Sequence, residues 1–465
     1  MTPYCEYFDF HPSLYITHGG KKAMEGWQTL VHVCRRWRSL ILCSPRRLNL
    51  QLFCTPDTPV TDNLDIWPPL PLIVVGDATT LSSGTDNTIA ALEQNNRVRE
   101  VILWDLFDWQ MEESLAAMKA PFPELTKLEL HTGEEESLPI PDSFLGGSAP
   151  RSLQHFELFG ISFPGLPKLL SSADHLVHLA LLEIPDSGYI SPEAMVALIS
   201  TLSSLRSLTL RFEVPGYLPG WENRSLPPPK RSILPALEKL DFQGVIKYLE
   251  VLLTFIEAPQ MNHTFITFFD QTYFDCPRLA QFINCTPTLR AVKEAHVQFA
   301  DYTAIVKLYQ TSTSNPFGLW IEIICSNEPD LQFSTIERLC SPFLRTISTL
   351  EDLYIEHEYS LAERGEIGAI ENALWLQLLL PFLSVKDLYI SEDFAPGIAK
   401  ALKELDGARI TEVLPSLQNI FVEWFKPLGA FQKKVGKFVA ARQLSGQPIA
   451  ISVWNKKYHG NMQPW

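Results

Sequence analysis

The sequence lacks the short motifs that mark the common catalytic centres. It contains no Gly-x-x-x-x-Gly-Lys phosphate loop, no Gly-x-Ser-x-Gly elbow, no His-Glu-x-x-His metal motif and no dinucleotide fingerprint. Each of these motifs fixes a particular catalytic geometry. We therefore expect a protein that is not an enzyme and that holds no cofactor and no metal.

Cysteine is sparse and shows no paired spacing. The eight cysteines include no Cys-x-x-Cys pair and have no histidine at zinc-binding spacing, a pattern that predicts reduced, buried thiols. The sequence also lacks an apolar run of about 18 residues and a signal-peptide-like start. We therefore expect a cytoplasmic or nuclear protein with no membrane partner.

Positive charge is also scarce. The formal net charge of the 465 residues is −15, although residues 1–50 carry seven Lys or Arg against three acids, a local charge of +4. Nonspecific nucleic-acid binding depends on clustered Lys and Arg that neutralise phosphates, so the acidic body argues against it. The basic first segment is better suited to an acidic protein.

What the sequence does contain is a recurring leucine pattern. The spacing Leu-x-x-Leu-x-Leu, with other apolar residues substituting, starts at Val98/Val101/Leu103 and returns most often after about 23 to 35 residues. The later instances are Leu125/Leu128/Leu130, Leu153/Phe156/Leu158, Leu176/Leu179/Leu181, Leu205/Leu208/Leu210, Leu237/Leu240/Phe242, Leu350/Leu353/Ile355, Val385/Leu388/Ile390 and Leu417/Ile420/Val422. A middle section, Met261/Thr264/Ile266, Leu289/Val292 and Leu319/Ile321/Ile323, is degenerate.

Helical stretches separate these predicted strands. They are 166–170, 192–202, 245–257, 278–284, 333–344, 374–382 and 397–405, and Ser191-Pro192 is a helix start signal for the second. A strand plus a helix at this period is typical of leucine-rich repeats. The alternative is a βα-rich globular domain whose strands are rich in leucine.

The repeat pattern has an interruption and an end. Residues 212–235 carry six prolines and two glycines, which predicts an exposed, mobile loop in place of a helix. Near the C-terminus, 435–442 reads as a basic amphipathic helix and 448–454 as a last strand. Together they predict the cap that an open end of a repeat array requires.

The strands should present a surface as well as a core. Since side chains alternate along a strand, the residue between the last two apolar positions points away from the core. That residue is Glu129, Glu157, Ala180, Thr209 and Asp241 in the first half, but Tyr354, Tyr389 and Phe421 in the last three repeats. We expect these three rings to stack as an exposed target-binding stripe on the concave face. In the alternative, the C-terminal residues Trp454, Tyr458 and Trp465 fold over them.

Other chemically capable residues have simpler interpretations. We interpret Glu134–Glu136 as a solvated loop rather than a cation site, and His155 and His178 as structural or surface histidines of the repeat strands rather than ligands or bases.

The N-terminal region contains one strongly amphipathic helix, predicted over 31–41. Ser44-Pro45 would end it. One face carries His32, Arg35, Arg36 and Arg38. The apolar stripe on the other, at helical spacing, consists of Leu30, Val33, Cys34, Trp37, Leu40 and Ile41.

This segment resembles the third helix of an F-box, in which Val-Cys is followed by Arg-x-Trp-Arg and an apolar close. Further runs, among them Leu48-Asn49-Leu50, Trp67-Pro68-Pro69-Leu70-Pro71 and Phe438-Val439-Ala440-Ala441-Arg442, extend the resemblance to an expanded fungal family of F-box-containing proteins over nearly the whole chain. An F-box opens with Leu-Pro and a longer apolar helix, whereas this sequence opens with Thr-Pro-Tyr-Cys. We therefore expect only the end of the first F-box helix to be present.

The resemblance implies a function. F-box proteins bind a Skp-type adaptor and a cullin scaffold, so it implies a specificity subunit of an SCF-type ubiquitin ligase that contacts the adaptor through the apolar stripe. The alternative is a leucine-rich-repeat interaction scaffold that no longer binds the adaptor. The expected fold is α/β: a partial F-box-like helical module over 1–50, a proline-rich connector and first strand over 51–96, and an irregular leucine-rich-repeat solenoid with a C-terminal cap over 97–465.

Overall fold

The protein is described by a computed structural model. The described residues are 33–42, 51–57, 60, 69–77, 85–133, 138–213, 231–269, 275–300, 302–310, 318–325, 329–344, 347, 349–357, 370–407, 409–423 and 428–454. The chain divides into two compact units, one of residues 1–52 and 62–71, the other of residues 53–61 and 72–465.

The described part of the first unit is dominated by one helix, α1 (Arg35–Leu42). Its first turn is supported by the amide of Arg38, which donates to the carbonyl oxygen of Cys34 at 3.0 Å. The helix thus begins four residues later than the sequence predicts. Residue 33 lies in a turn, and residues 31 and 32 lie outside the described part.

The second unit is built on a large, mostly parallel sheet. Its strands follow one another in space almost as in sequence, in the order β1-β2-β3-β4-β5-β6-β7-β9-β11-β14-β13-β12-β15-β16-β17-β18, and β8 pairs with β10 in a separate two-stranded sheet. The strands are β1 (Leu52–Cys54), β2 (Leu72–Asp77), β3 (Val98–Leu106), β4 (Lys127–Thr132), β5 (His155–Phe159), β6 (His178–Ile184), β7 (Ser207–Phe212), β8 (Ser232–Ile233), β9 (Lys239–Gly244), β10 (Ile256–Glu257), β11 (His263–Phe268), β12 (Glu294–Phe299), β13 (Thr303–Tyr309), β14 (Gly318–Ile324), β15 (Asp352–His357), β16 (Asp387–Ile390), β17 (Asn419–Glu423) and β18 (Ala450–Trp454).

The leucine pattern lies in register across this sheet. The middle apolar position of each predicted repeat pairs with the same position of the next strand, as in Leu128 with Phe156 and Leu208 with Leu240. All apolar positions of the nine clear repeats are buried. Alternation along each strand therefore places one continuous apolar face inward and leaves the other face for polar and aromatic side chains.

Helices connect most of the parallel strands. They are α2 (Thr85–Leu92), α3 (Asp108–Ala117), α4 (Leu166–Leu170), α5 (Pro192–Ile199), α6 (Ile246–Phe255), α7 (Pro277–Cys285), α8 (Pro287–Arg290), α9 (Pro329–Leu344), α10 (Asn372–Leu379), α11 (Ala395–Lys403), α12 (Arg409–Glu412) and α13 (Leu428–Leu444). The start predicted at Ser191 is confirmed, because its side chain accepts a hydrogen bond from the amide of Ala194 and proline occupies the first helical position.

The degenerate middle section departs from the repeat. Instead of continuing the parallel order, β12, β13 and β14 form an antiparallel meander, and β14 rather than β12 pairs with β11. Leu319, Ile321 and Ile323 lie on β14, which pairs parallel with β11, so β13 is the strand of this section that runs antiparallel to both of its neighbours. Two-residue alternation permits either direction of pairing, so the apolar pattern could not decide it.

A buried arginine fixes the C-terminal helix to the preceding turn. Arg442, on α13, is 0% exposed and donates to the carbonyl oxygens of Leu414 and Pro415, both at 3.1 Å. The predicted basic helix is present, but this basic residue points inward. The predicted last strand is also present, as β18.

The expectation of buried thiols needs correction at two cysteines. Among the described cysteines, Cys54, Cys276 and Cys325 are buried as expected, whereas Cys34 and Cys285 are exposed.

Within the described ranges, no helix is both long enough and apolar enough to span a membrane. The acidic run at 134–136 and most of the predicted proline-rich loop, 214–230, lie outside the described residues.

Candidate functional site

The three aromatic residues predicted to stack do stand side by side on the outward face of the sheet. In register, Tyr354 pairs with Tyr389 and Tyr389 with Phe421. The ring centroids of the two tyrosines are 4.2 Å apart with an interplanar angle of 7°, and those of Tyr389 and Phe421 are 4.6 Å apart at 11°. Parallel strands about 4.8 Å apart impose this spacing, so the sheet itself builds the stack.

The stack continues onto a residue that sequence reasoning missed. His296, on β12, pairs in register with Tyr354, and its ring stacks on that tyrosine at 4.2 Å and 6°. We call the four residues His296, Tyr354, Tyr389 and Phe421 the aromatic column. Beyond His296, the meander places Lys307 and Trp320 in the same row, with the Lys307 ammonium 3.7 Å from the Trp320 ring centroid.

The column is partly covered by the last strand. Trp454 packs edge-on against Tyr354 and Tyr389, with centroid distances of 5.8 and 5.4 Å, and its indole nitrogen donates to the carbonyl oxygen of Ile390. The alternative in which C-terminal residues contact the column is therefore confirmed for Trp454, while Tyr458 and Trp465 lie outside the described residues. The tyrosines and Phe421 remain partly exposed.

A row of acidic residues runs beside the aromatic column. Glu294 pairs in register with Asp352, and Asp352 with Asp387. We call these three the acidic row. Burial, followed by the negative charges of Asp387 and Glu294, raises the pKa of Asp352 to about 6. The next position in the row is Asn419, whose amide donates to the Asp387 carboxylate at 2.7 Å.

The aromatic column also borders a second line of polar groups. The carboxylate of Glu356 is buried and accepts a hydrogen bond from the amide of Gln298 at 3.0 Å. It also lies 4.0 Å from Nδ1 of His296, while Nε2 of that ring lies 3.9 Å from Glu294. Burial alone would lower the pKa of His296, but the two carboxylates outweigh it and raise that pKa. The imidazole of His296 therefore lies between the carboxylates of Glu294 and Glu356.

At the other end of the sheet, the outward charges form a closed ion-pair network. Nε2 of His155 lies 3.1 Å from a carboxylate oxygen of Glu129 and 3.4 Å from one of Glu157. His131 and Lys127 complete the network, at 3.0 Å from Glu157 and 2.9 Å from Glu129 respectively. The expectation of a structural role for His155 agrees with these contacts.

Titration in this network follows from the contacts. Burial lowers the pKa of His155, but the two carboxylates outweigh burial and raise it to about 9. Burial raises the pKa of Glu157, but His131 and His155 outweigh it and bring that pKa to about 2. The ligand atoms of Glu129, His155 and Glu157 lie within 4.8 Å of one another, close enough to surround an ion. However, the Lys127 ammonium and His155 already contact Glu129, and His131 and His155 already contact Glu157, so we interpret the cluster as an internal network of ion pairs and hydrogen bonds.

The apolar stripe of the N-terminal segment is open to solvent. Val33, Trp37 and Leu40 expose 62%, 46% and 61% of their surface, and Cys34 is exposed too. Leu30 lies outside the described residues, as does the side chain of Ile41. An exposed apolar stripe on an amphipathic helix needs a partner to bury it.

One pocket lies at the ends of β6 and β7. Its lining includes the rings of Tyr189, Phe212 and Tyr248 together with the acids Asp186 and Glu213. No histidine or cysteine lines it among the described residues. The rings pack against one another, with centroids 4.8 Å apart for Phe212 and Tyr248. The arrangement provides no base paired with a nucleophile.

Comparisons with known proteins add no relative to this picture. Neither a scan of protein-family models nor a search of curated proteins found a match to the chain.

Proposed function

We propose that this protein is the substrate-recognition subunit of an SCF-type ubiquitin ligase. In this proposal the N-terminal segment binds a Skp-type adaptor, which connects to a cullin scaffold, and the repeat region binds a protein target. The protein performs no chemistry of its own. The observation that carries the proposal is the combination of an unburied apolar helix stripe with a second, separate aromatic surface.

The proposed adaptor contact is the stripe of α1. The stripe predicted from the sequence consists of Leu30, Val33, Cys34, Trp37, Leu40 and Ile41, of which Trp37, Leu40 and Ile41 lie on α1 and Val33 and Cys34 directly precede it. Burial of apolar surface contributes about 25 cal/mol per Å², and aromatic anchors concentrate interface energy, so Trp37 is the expected centre of the contact. Arg35, Arg36 and Arg38 on the opposite face would favour an acidic partner.

The proposed target contact is the aromatic column. We infer that the strand–helix repeats form an irregular solenoid of the leucine-rich-repeat type, in which the outward face of the sheet serves as the recognition surface. Tyr354, Tyr389 and Phe421 support this role because their stacked, partly exposed rings form a rigid apolar strip within a polar border.

A direct binding measurement tests the adaptor half of the proposal. Purified full-length chain is titrated with a purified Skp-type adaptor, alongside Trp37→Ala and, as a control at an exposed, uncharged position of the same helix, Ser39→Ala. We expect saturable binding that Trp37→Ala weakens by at least about tenfold and Ser39→Ala by less than about threefold. No binding by the unsubstituted chain would refute the adaptor contact and favour the alternative function, a repeat-protein interaction scaffold.

A further inference from the structure

Three like charges stand next to one another in the acidic row, which is an unfavourable arrangement. Glu294, Asp352 and Asp387 occupy facing positions on three adjacent strands. Like charges directly opposite in a sheet destabilise it. A sequence that breaks a local rule in this way commonly does so at a functional site.

The rest of the outward face shows that the protein can neutralise such acids. Asp241 on β9 is held by Arg211 through two hydrogen bonds, at 3.1 and 2.8 Å. Glu129 is held by Lys127 at 2.9 Å. In contrast, within the described parts of the chain no ammonium, guanidinium or imidazole lies at ion-pair distance from Asp352 or Asp387. The nearby Lys386 forms its ion pair with Glu351, at 2.8 Å, and interacts with Asp387 and Asp352 only beyond ion-pair distance.

We propose that the acidic row and the adjoining aromatic column bind an arginine-bearing extended segment of a partner protein. This inference rests on the proposed function, since it names the class of target that the column recognises. A guanidinium suits the site better than an ammonium because it can bridge two carboxylates through its planar fork and also pack against aromatic rings. Burial and the neighbouring carboxylates raise the pKa of Asp352, and a bound cation would reduce the repulsion among these carboxylates.

The spacing of the strands suggests how the arginines are arranged. The three acids span two strand intervals of about 4.8 Å each, roughly 10 Å in total. In an extended segment, side chains on the same face recur every second residue, at roughly 6.6 to 6.8 Å. Two arginines separated by one residue would therefore cover the row, whereas adjacent arginines would point to opposite faces.

A peptide titration on the full chain tests this inference. The probe is a fluorescein-labelled peptide Ser-Gly-Arg-Ser-Arg-Gly-Ser, and fluorescence anisotropy reports its binding. Two matched peptides carry Lys-Ser-Lys in place of Arg-Ser-Arg, or the same residues with the arginines adjacent. The protein variants are Asp352→Asn/Asp387→Asn and a control with the same charge change at exposed residues of α3, Glu112→Gln/Glu113→Gln.

The expected results separate a specific site from general attraction to an acidic protein. We expect Asp352→Asn/Asp387→Asn to weaken binding by about tenfold and the α3 control by less than about twofold. The lysine and adjacent-arginine peptides should each bind at least about threefold more weakly than the probe. Equal weakening by the two double variants would overturn the inference, and so would equal binding of all three peptides.

The inference and the proposed function can fail separately. In cells, Tyr354→Leu/Tyr389→Leu tests whether the column selects partners at all. If that variant loses partners while Asp352→Asn/Asp387→Asn neither loses them nor weakens the probe, the target surface stands and its preference for arginine is refuted. If the probe binds as expected but the tyrosine variant keeps every partner, the arginine site stands and the proposed function of the column is refuted.

Discussion

Arg442 offers the sharpest test of how the C-terminal end of the repeat region is held together. Its guanidinium is fully buried and donates to two carbonyl oxygens at 3.1 Å and to those of Ile410 and Leu417 at 3.4 Å. The substitution Arg442→Met keeps a long apolar side chain but removes every donor. It thereby removes the guanidinium donor from four carbonyl groups of this turn, of which that of Leu414 keeps the amide of Leu417 as a donor at 3.1 Å.

The size of the effect follows from these bonds. Hydrogen bonds from a charged donor contribute about 1.5 to 3 kcal/mol each, so the two short ones set an upper range of roughly 3 to 6 kcal/mol. Burial lowers the pKa of Arg442, which shows that the buried charge itself has a cost that methionine avoids. We therefore expect a net loss of about 2 to 3 kcal/mol, equivalent to roughly 30- to 150-fold in a local opening equilibrium.

Hydrogen exchange followed by mass spectrometry is the appropriate assay, because it reports the local opening of individual elements. Peptides from residues 409–423 and 428–454 should exchange faster by that factor in Arg442→Met, while peptides from β3 to β7 should not change. Lys434→Met, which removes a charge from an exposed position on the same helix, is the control and should leave the rates within about twofold of the wild type. Rates in Arg442→Met that match this control would refute the assigned role of Arg442.

Three further predictions concern other parts of the sheet and its helices. Ser191→Ala should cost about 1 kcal/mol, seen as faster exchange of residues 192–199, and an equal effect of Ser200→Ala would contradict the capping role. The folded pKa of His155 is about 9, above its usual value, so the stability that it contributes is complete below about pH 6.5 and is lost as the pH rises through 9. The difference in thermal stability between the wild type and His155→Gln should therefore shrink between pH 7 and pH 10, and a constant difference would count against the ion-pair network. The pKa of Asp352 is about 6, also above its usual value, so ionised Asp352 destabilises the fold at neutral pH and this cost is relieved as the pH falls through 6. Asp352→Asn should then raise the stability at pH 7.5 by up to about 1 kcal/mol, after allowance for solvent screening, with a smaller gain at pH 5; a less stable variant at pH 7.5 would refute the argument.

The sequence predicts the core of the sheet well because that core depends on a local pattern. Positions such as Leu128 and Leu130 repeat at two-residue spacing within each strand, and the period between strands recurs often enough to set the parallel order. Three of the four members of the aromatic column could be predicted for the same reason, and the tetrapeptide Asp-Leu-Tyr-Ile, which supplies two of them, occurs at both 352–355 and 387–390. The aspartate that opens each of these tetrapeptides is a member of the acidic row, so the sequence also contains a signal for Asp352 and Asp387.

The remaining features depend on contacts between distant segments. His296 joins the column only because β12 to β14 turn back on one another, and alternation of apolar residues does not reveal the direction of pairing. Arg442 lies on a helix whose basic residues suggest solvent exposure, but carbonyl groups about 25 to 32 residues earlier accept its hydrogen bonds. The burial of a charged residue was not predictable without that turn. Cys34 was expected to be buried. It is exposed, as are Val33, Trp37 and Leu40 of the same apolar stripe.

The central claim is that one surface recruits the ligase adaptor and another selects the target. Proximity labelling in cells, with ligase activity blocked so that targets persist, reports both at once when the full chain carries the labelling enzyme. We predict that the wild type labels a Skp-type adaptor, a cullin and a target, that Trp37→Ala loses the first two, and that Tyr354→Leu/Tyr389→Leu loses only the target. Failure of the wild type to label any adaptor or cullin, or loss of all three in both variants while each remains folded, would contradict the claim.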